Sequence, residues 1–173
     1  SDIISATYFI GSSQTDNYNT VSLNIQEDFL FDYYAGIYVA GKDFDDWREQ
    51  YPTFPAYGNR PANYWRIGDE YEKRANLEIF NQTGQSVVNQ QVGIRIHGGW
   101  TRAYPQKSLR IYARNIYGKS EINYPIFPDQ EYDSYKRLIL RNSGNDWGYT
   151  LFRDAFMQQI VKHLNIETQA FQP

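Results

Sequence analysis

The residues best suited to chemistry form a basic run in the middle of the chain. Between Glu78 and Glu121 the sequence contains no carboxylate. The chain as a whole is acidic, with 17 basic residues, 20 acidic residues and a formal net charge of −3. A local basic run in an acidic chain favours an anion as its partner. Its basic residues are Arg95, Arg102, Lys107, Arg110, Arg114 and Lys119.

Lys107 is the basic residue whose position in this run is most informative. Apolar and polar residues alternate before and after the glycine pair at 98 and 99, which predicts two strands with one apolar face each. Lys107 shares the parity of the second apolar set, so its side chain is predicted to point to the covered face. An ammonium there loses hydration free energy unless a negative group meets it, and we expect a phosphate. The apolar positions are Val92, Ile94, Ile96, Leu109, Ile111 and Ala113.

Two other polar clusters contain residue types that suit chemistry. Asn142, Asn145 and Asp146 carry the hard oxygen ligands that Mg²⁺ prefers. The same residue types build tight turns and helix caps, and we favour that structural role. The acidic clusters at 45–46 and 69–72 match a glycosidase poorly, because neighbours in sequence rarely present carboxyl groups roughly 5 to 9 Å apart across one sugar bond.

Composition excludes several classes of function. Cysteine is absent, so the chain has no disulfide, thiolate metal site or cysteine nucleophile. The two histidines, His97 and His163, supply a histidine-rich zinc site or a Ser-His-Asp triad poorly. The net acidity argues against a nucleic-acid partner. No apolar run of about 18 residues is present, so we expect no membrane span, and the start has neither region of a signal peptide.

The order of predicted elements is a series of short strands followed by one helix. Such an order predicts a single α+β domain with a mainly antiparallel sheet and a packed C-terminal helix. A loop at 51–68, rich in proline, glycine and aromatic residues, is expected to pack on the body and to cover a site. The predicted strands span 6–10, 20–25, 36–41, 74–80, 86–97, 107–114 and 137–141, the last being central, and the predicted helices span 42–50 and 150–164.

The motifs of the second half resemble those of the spore coat protein H (CotH) kinase family. They are GIRIHGGWTRAYPQKSLRIYAR at 93–114, Tyr117-Gly118, LILRNSGND at 138–146 and RDAF at 153–156. We expect the similarity to include the leading strands, at 8–10, 22–23, 36–41 and 75–80. The resemblance implies a fold like the N-terminal lobe of a kinase.

The resemblance also implies an activity. A protein of this family would be a secreted or surface-exposed bacterial, spore-coat type of atypical protein kinase that transfers phosphate from ATP, with Mg²⁺, to serine or threonine of a protein. Residues 1–173 would be an incomplete N-terminal portion of the larger kinase domain. The catalytic and metal-binding aspartates are expected downstream of Pro173, so this portion alone is expected to be inactive.

In this kinase-like interpretation the basic hairpin binds the nucleotide. Glycine lets main-chain N–H groups approach phosphates closely, which gives the turn at 98–102 its expected role, and Lys107 would reach the α and β phosphates. Asp154, on the last helix, is the candidate ion-pair partner of Lys107. The competing interpretation is an ordinary hairpin with solvated charges and a solvated helix face. The expected nucleotide-binding residues are Arg95, Gly98, Gly99, Thr101, Arg102, Lys107 and Asp154.

Two further interpretations of the whole chain remain open. Sixteen tyrosines give an aromatic surface, which is also expected of a non-catalytic surface adhesin or of a carbohydrate-binding or protein-binding module. The other alternative is a structural domain of a larger secreted protein. The phosphoacceptor protein and the oligomeric state do not follow from these residues.

Overall fold

A five-stranded antiparallel sheet forms the centre of the fold. The computed structural model describes residues 6–10, 18–164 and 166–172. The strand order in this sheet is β1-β2-β3-β4-β7, and β5 pairs with β6 in a separate two-stranded ribbon. The strands are β1 (Thr20–Ile25), β2 (Lys73–Phe80), β3 (Ser86–His97), β4 (Ser108–Tyr112), β5 (Ile122–Asn123), β6 (Ser134–Tyr135) and β7 (Arg137–Leu140).

Among the described residues, two α-helices lie between β1 and β2 and a third follows β7. They are α1 (Glu27–Phe31), α2 (Gly41–Arg48) and α3 (Arg153–Val161). Short 3₁₀ turns connect the elements, and those at Asn63–Trp65 and Trp100–Ala103 matter for the site. The predicted α+β class with an antiparallel sheet is confirmed. In the part of the chain that the structure describes, no helix has the length and apolar character needed to span a bilayer.

The sheet has one apolar face and one polar face because its strands alternate in sequence. Leu77 of β2, Val92 and Ile94 of β3 and Ile111 of β4 are at most 1% exposed and form the core. The segment around β5 and β6 covers this face, with Ile122 fully buried. The opposite face carries most of the arginines of the sheet.

The β3–β4 pair is formed as predicted, with the predicted apolar residues on one face. Ile94 lies opposite Ile111, and Ile96 lies opposite Leu109, so the two apolar sets share the core face. The first strand has the predicted bounds, while the second begins at Ser108, one residue after Lys107. Lys107 is therefore the last residue of the segment that connects β3 to β4.

Two predicted strands are not formed. Residues 36–41 bend instead, because Ile37 and Tyr38 donate their main-chain N–H groups to carbonyls of α1, at 3.1 and 2.9 Å. Residues 6–10 are irregular. Thr7 donates its main-chain N–H to the side-chain carboxylate of Glu78 in β2 at 3.0 Å, not to a main-chain carbonyl as in a strand pair. A polar loop is also expected from the sequence at 11–17, between the first two predicted strands, and it lies outside the described residues.

Two features near the C-terminus also differ from prediction. The strand at 137–141 was predicted to be central, but β7 is an edge of the sheet. The last helix is present, but α3 buries none of its side chains, and Phe156 and Ile160 are 52% and 43% exposed. The periodicity thus identified the helix correctly, although no layer in the described part of the chain covers its apolar residues.

Candidate anion-binding site

Lys107 is buried beside the core without a carboxylate partner. The residue is 8% exposed, and its Nζ donates one hydrogen bond, to the main-chain oxygen of Tyr104 at 2.7 Å. No ion pair joins Lys107 to an acid among the described residues. An ammonium has three N–H donors, so two of them have no acceptor in the described part of the chain.

Two tyrosine rings form the walls around this amine. Nζ of Lys107 lies 4.5 Å from the ring centroid of Tyr64 and 5.0 Å from that of Tyr38. The hydroxyl of Tyr38 accepts the main-chain N–H of Lys107 at 2.9 Å and donates to the oxygen of Pro105 at 3.0 Å. Aromatic faces attract a cation without neutralising it. The positive charge is thus held in place and left available to an anion.

The pKa of the lysine reflects this environment. Burial lowers the pKa of Lys107 from 10.5 to about 8, because a charged amine is less stable in an apolar setting than in water. Burial also raises the pKa of Tyr64, whose hydroxyl has no hydrogen-bond partner among the described residues. An anion beside the amine would raise the pKa of Lys107 again, because opposite charge favours the protonated form.

The aromatic loop at 51–68 supplies Tyr64 to this chamber. Its 3₁₀ turn at Asn63–Trp65 is fixed by Asn63, which donates its main-chain N–H to Ala40 at 2.8 Å and its side-chain amide to Tyr33 at 2.9 Å. Tyr64 is 3% exposed. The loop thus places Tyr64 over Lys107, and that it covers a functional site stays a prediction.

The β3–β4 turn forms one wall of a neighbouring cleft. Gly98 has φ +115°, a conformation that glycine adopts without strain, and a side chain there would collide with Oγ1 of Thr101 at 2.6 Å. The opposite wall comes from the loop between β7 and α3. The cleft has a volume of about 260 Å³ and is lined by His97, Gly98, Gly99, Trp100, Thr101, Ser108, Arg141, Gly144 and Asn145.

The electrostatics of this cleft are set by arginine rather than by histidine. Burial, followed by the nearby Arg110 and Arg141, lowers the pKa of His97. Nδ1 of its neutral ring lies 2.8 Å from Nη2 of Arg110 and accepts a hydrogen bond from it in that state. The cleft therefore presents the main chain of its glycines and Thr101 beside Arg141, whose charge is paired with Asp154, and Arg110 lies behind His97.

Lys107 and the cleft lie on different sides of the sheet. His97 pairs with Ser108 on the polar face, whereas Lys107 continues the alternation of Leu109 on the core face. Lys107 is accordingly not among the residues that line the cleft. The predicted glycines and Thr101 are brought together with each other, and Lys107 occupies a separate chamber at the same end of the hairpin.

Arg102 holds the turn in place instead of facing the cleft. Its Nε donates to the oxygen of Gly98 at 2.6 Å, and its Nη1 donates to the oxygen of Tyr64 at 3.0 Å. The residue is 8% exposed and lies over the ring of Trp65. Arg102 thus links the β3–β4 turn to the segment that covers Lys107.

Two predicted nucleotide-binding residues already have partners of opposite charge. Arg95 forms ion pairs with Asp69 at 3.1 Å and Glu72 at 3.4 Å. Asp154 pairs with Arg141, with Nε and Oδ2 2.6 Å apart, so the ion pair expected between Asp154 and Lys107 is not formed. The helix places the aspartate beside Arg141 at the end of β7, a contact between two elements that no local sequence pattern reports.

The polar cluster at 142–146 has the structural role that was favoured. Asn142 is 4% exposed and accepts hydrogen bonds from Oγ of Ser108 at 2.8 Å and from the N–H of Gly144 at 3.0 Å. Asp146 accepts the main-chain N–H of Arg153 at 3.1 Å and so caps the last helix. Across the described residues no three His, Asp or Glu side chains form a metal-binding group.

Comparison with known proteins bears on the same segment. Residues 94–173 match the family model described as CotH kinase protein. The resemblance is confirmed over this part of the chain, which contains Lys107 and every residue lining the cleft. The match begins at Ile94, so the assignment of the earlier strands to the family stays a prediction. Comparisons with curated proteins and with solved structures gave no match.

Proposed function

We propose that this chain binds the phosphates of ATP as the N-terminal part of a CotH-like atypical protein kinase. The observation that carries the proposal is the buried amine of Lys107, which has two free N–H donors and no carboxylate among the described residues. It lies inside the segment that matches the CotH kinase family. The proposed reaction of the whole protein is transfer of phosphate from ATP to serine or threonine of a protein.

Each part of the site has a distinct proposed task. Lys107 supplies a point charge to a phosphate oxygen, and the rings of Tyr38 and Tyr64 keep its stem in one position. The main chain at Gly98 and Gly99 offers N–H groups from the neighbouring cleft. Both clusters lie at the same end of the β3–β4 hairpin.

The chemical step needs groups that the described residues do not supply. Phosphoryl transfer requires carboxylates that hold metal ions and orient the nucleophile, and the described part of the chain contains no metal-binding group. We propose that aspartates downstream of Pro173 in the parent protein supply them. The chain of 173 residues is then expected to bind ATP and to show only background phosphate transfer.

A secreted or surface location in a bacterium is also part of the proposal. It is supported by the resemblance to the CotH family and by a surface rich in tyrosine. Sixteen tyrosines occur in the chain, and Tyr34 and Tyr149 are 64% and 77% exposed. A reporter fusion with the full gene product would locate the protein, and cytoplasmic retention would contradict this part of the proposal.

The experiment that tests the activity uses the chain and the full parent protein together. Calorimetric titration should detect ATP binding to both, and Lys107→Met should abolish it. Transfer of radiolabelled phosphate should occur only with the parent, and Lys107→Met should reduce that transfer by about two orders of magnitude or more. Clear autophosphorylation by the 173-residue chain would show that its own residues complete the active site.

A non-catalytic binding module is the second candidate. It is favoured by an exposed aromatic group at the β3–β4 turn, where Tyr57 packs edge-on against Trp100 with ring centroids 5.1 Å apart. These side chains are 54% and 42% exposed, as in surfaces that stack against sugars. Reproducible glycan-array binding that is lost in Trp100→Ala, with no ATP binding, would favour this candidate.

A further inference from the structure

A second basic cleft lies at the far end of β4. It has a volume of about 410 Å³ and is lined by Tyr112, Ala113, Arg114, Lys136 and Arg137. Lys107 immediately precedes β4 and Tyr112 ends it. At about 3.3 Å per strand residue, the two are about 17 Å apart. The far cleft is therefore separate from the site proposed for ATP.

Three arginines converge on the aromatic ring that forms the floor of this cleft. The ring centroid of Tyr112 lies 4.2 Å from the guanidinium carbon of Arg95, 4.9 Å from that of Arg114 and 5.6 Å from that of Arg137. Tyr112 is 5% exposed. Like charges held this close repel one another, so the cluster needs negative charge.

Acidic residues neutralise only part of the cluster. Glu72, whose side chain is 2% exposed, and Asp69 both pair with Arg95 and with Arg114. Arg137 forms no ion pair with any acid of the described residues, and its neighbour Lys136 forms none there either. Lys136 and Arg137 both line the cleft and are exposed, and neither has an acidic partner among the described residues.

We propose that this far cleft binds a phosphate group, carried by a phosphorylated side chain of a protein segment or present as free phosphate. A phosphate carries a charge of about −1.5 to −2 at neutral pH, which matches the two uncompensated cations. The planar guanidinium of Arg137 suits two phosphate oxygens at once, and Lys136 adds a point charge. A buried tyrosine ring closes the floor and keeps the arginines in place.

The test compares two ligands on the folded 173-residue chain. One is a synthetic phosphoserine peptide, measured beside its unphosphorylated counterpart, and the other is inorganic phosphate, both followed by isothermal titration. Arg137→Gln and Lys136→Gln should each weaken binding about tenfold or more, because each removes a charged hydrogen-bond donor. Arg48→Gln, which removes an exposed arginine of α2, is the matched control and should leave the affinity unchanged. Circular dichroism verifies that each variant is folded.

The two ligands distinguish the source of the phosphate. Tighter binding of the phosphopeptide than of inorganic phosphate assigns the cleft to a phosphorylated protein segment, and equal affinity assigns it to free phosphate. Arg137→Gln and Lys136→Gln should leave ATP binding unchanged, which separates this site from the ATP site. Three results would overturn the proposal. Neither ligand binds, or binding survives the double replacement of Lys136 and Arg137, or phosphate binding is lost only in Lys107→Met.

Discussion

Replacement of Lys107 by methionine is predicted to stabilise the fold while it removes the function. Lys107 is charged at neutral pH although burial lowers its pKa from 10.5 to about 8. The unfolded chain therefore binds more protons than the folded chain between these two values, and stability rises with pH across that window. Below about pH 8 the folded protein carries the full unfavourable free energy of the buried charge.

The expected change in the free energy of unfolding follows from the lowered pKa of Lys107. One pKa unit corresponds to about 1.4 kcal/mol, so a fall from 10.5 to about 8 corresponds to about 3 kcal/mol. Methionine keeps the aliphatic stem but loses the hydrogen bond to Tyr104 and the contacts with two tyrosine rings, together worth about 2 kcal/mol. We expect a net gain of about 1 kcal/mol at pH 7, or an increase in Tm of roughly 2–4 °C.

Urea denaturation of wild type and Lys107→Met at pH 7 and pH 10.5 measures the difference in the free energy of unfolding and its dependence on pH. The advantage of the variant should be present at pH 7 and should vanish at the higher pH, where the wild-type amine is neutral in the folded state. Lys119→Met, which removes an exposed lysine, serves as the control for a general change in charge. A variant that is less stable than wild type by 1 kcal/mol or more at pH 7 would show that the folded chain already compensates the amine and would refute the reasoning.

Three other replacements test the contacts that support the site. Gly93→Ala should cost about 1–3 kcal/mol in urea denaturation, because its Cβ would lie 2.3 Å from Oε1 of the buried Glu72; an unchanged midpoint would contradict this packing. Asn142→Ala should cost about 2–3 kcal/mol, because it leaves Ser108 without its buried partner, and a loss below 0.5 kcal/mol would show that water replaces the amide. Burial and the hydrogen bond to Glu72 raise the pKa of Tyr117 to about 12, so the stability from this bond is present below pH 10 and is lost as pH rises through 12. Ultraviolet titration should show that Glu72→Gln lowers the pKa of Tyr117. An unchanged pKa of this tyrosine in the variant would contradict the hydrogen bond to Glu72.

The sequence predicted the position of Lys107 because alternation along a strand is a local property. Parity alone predicted that its side chain would be covered, and Lys107 is 8% exposed. The same local signals identified β1, β3 and α2 with bounds close to those observed. The family resemblance likewise rested on local motifs and is confirmed over residues 94–173.

Contacts between distant segments could not be predicted in this way. The absence of acids near Arg95 in sequence suggested a free cation, yet Asp69 and Glu72 reach it from the segment before β2. The walls of the lysine chamber, Tyr38 and Tyr64, lie 69 and 43 residues before Lys107 in a region without regular strands. Three-dimensional packing decides which of many aromatic side chains meets a given cation, and no local pattern reports it.

The pKa of the Lys107 amine, measured with and without ATP, tests the central claim most directly. NMR titration of the chain with ¹³C-labelled lysine would follow this amine, and Lys107→Met would assign its signal. We predict a pKa near 8 in the free protein and an increase toward 10.5 when ATP is bound, because the phosphate favours the charged form. ATP binding that leaves the pKa of Lys107 unchanged would show that the nucleotide lies elsewhere and would contradict the account.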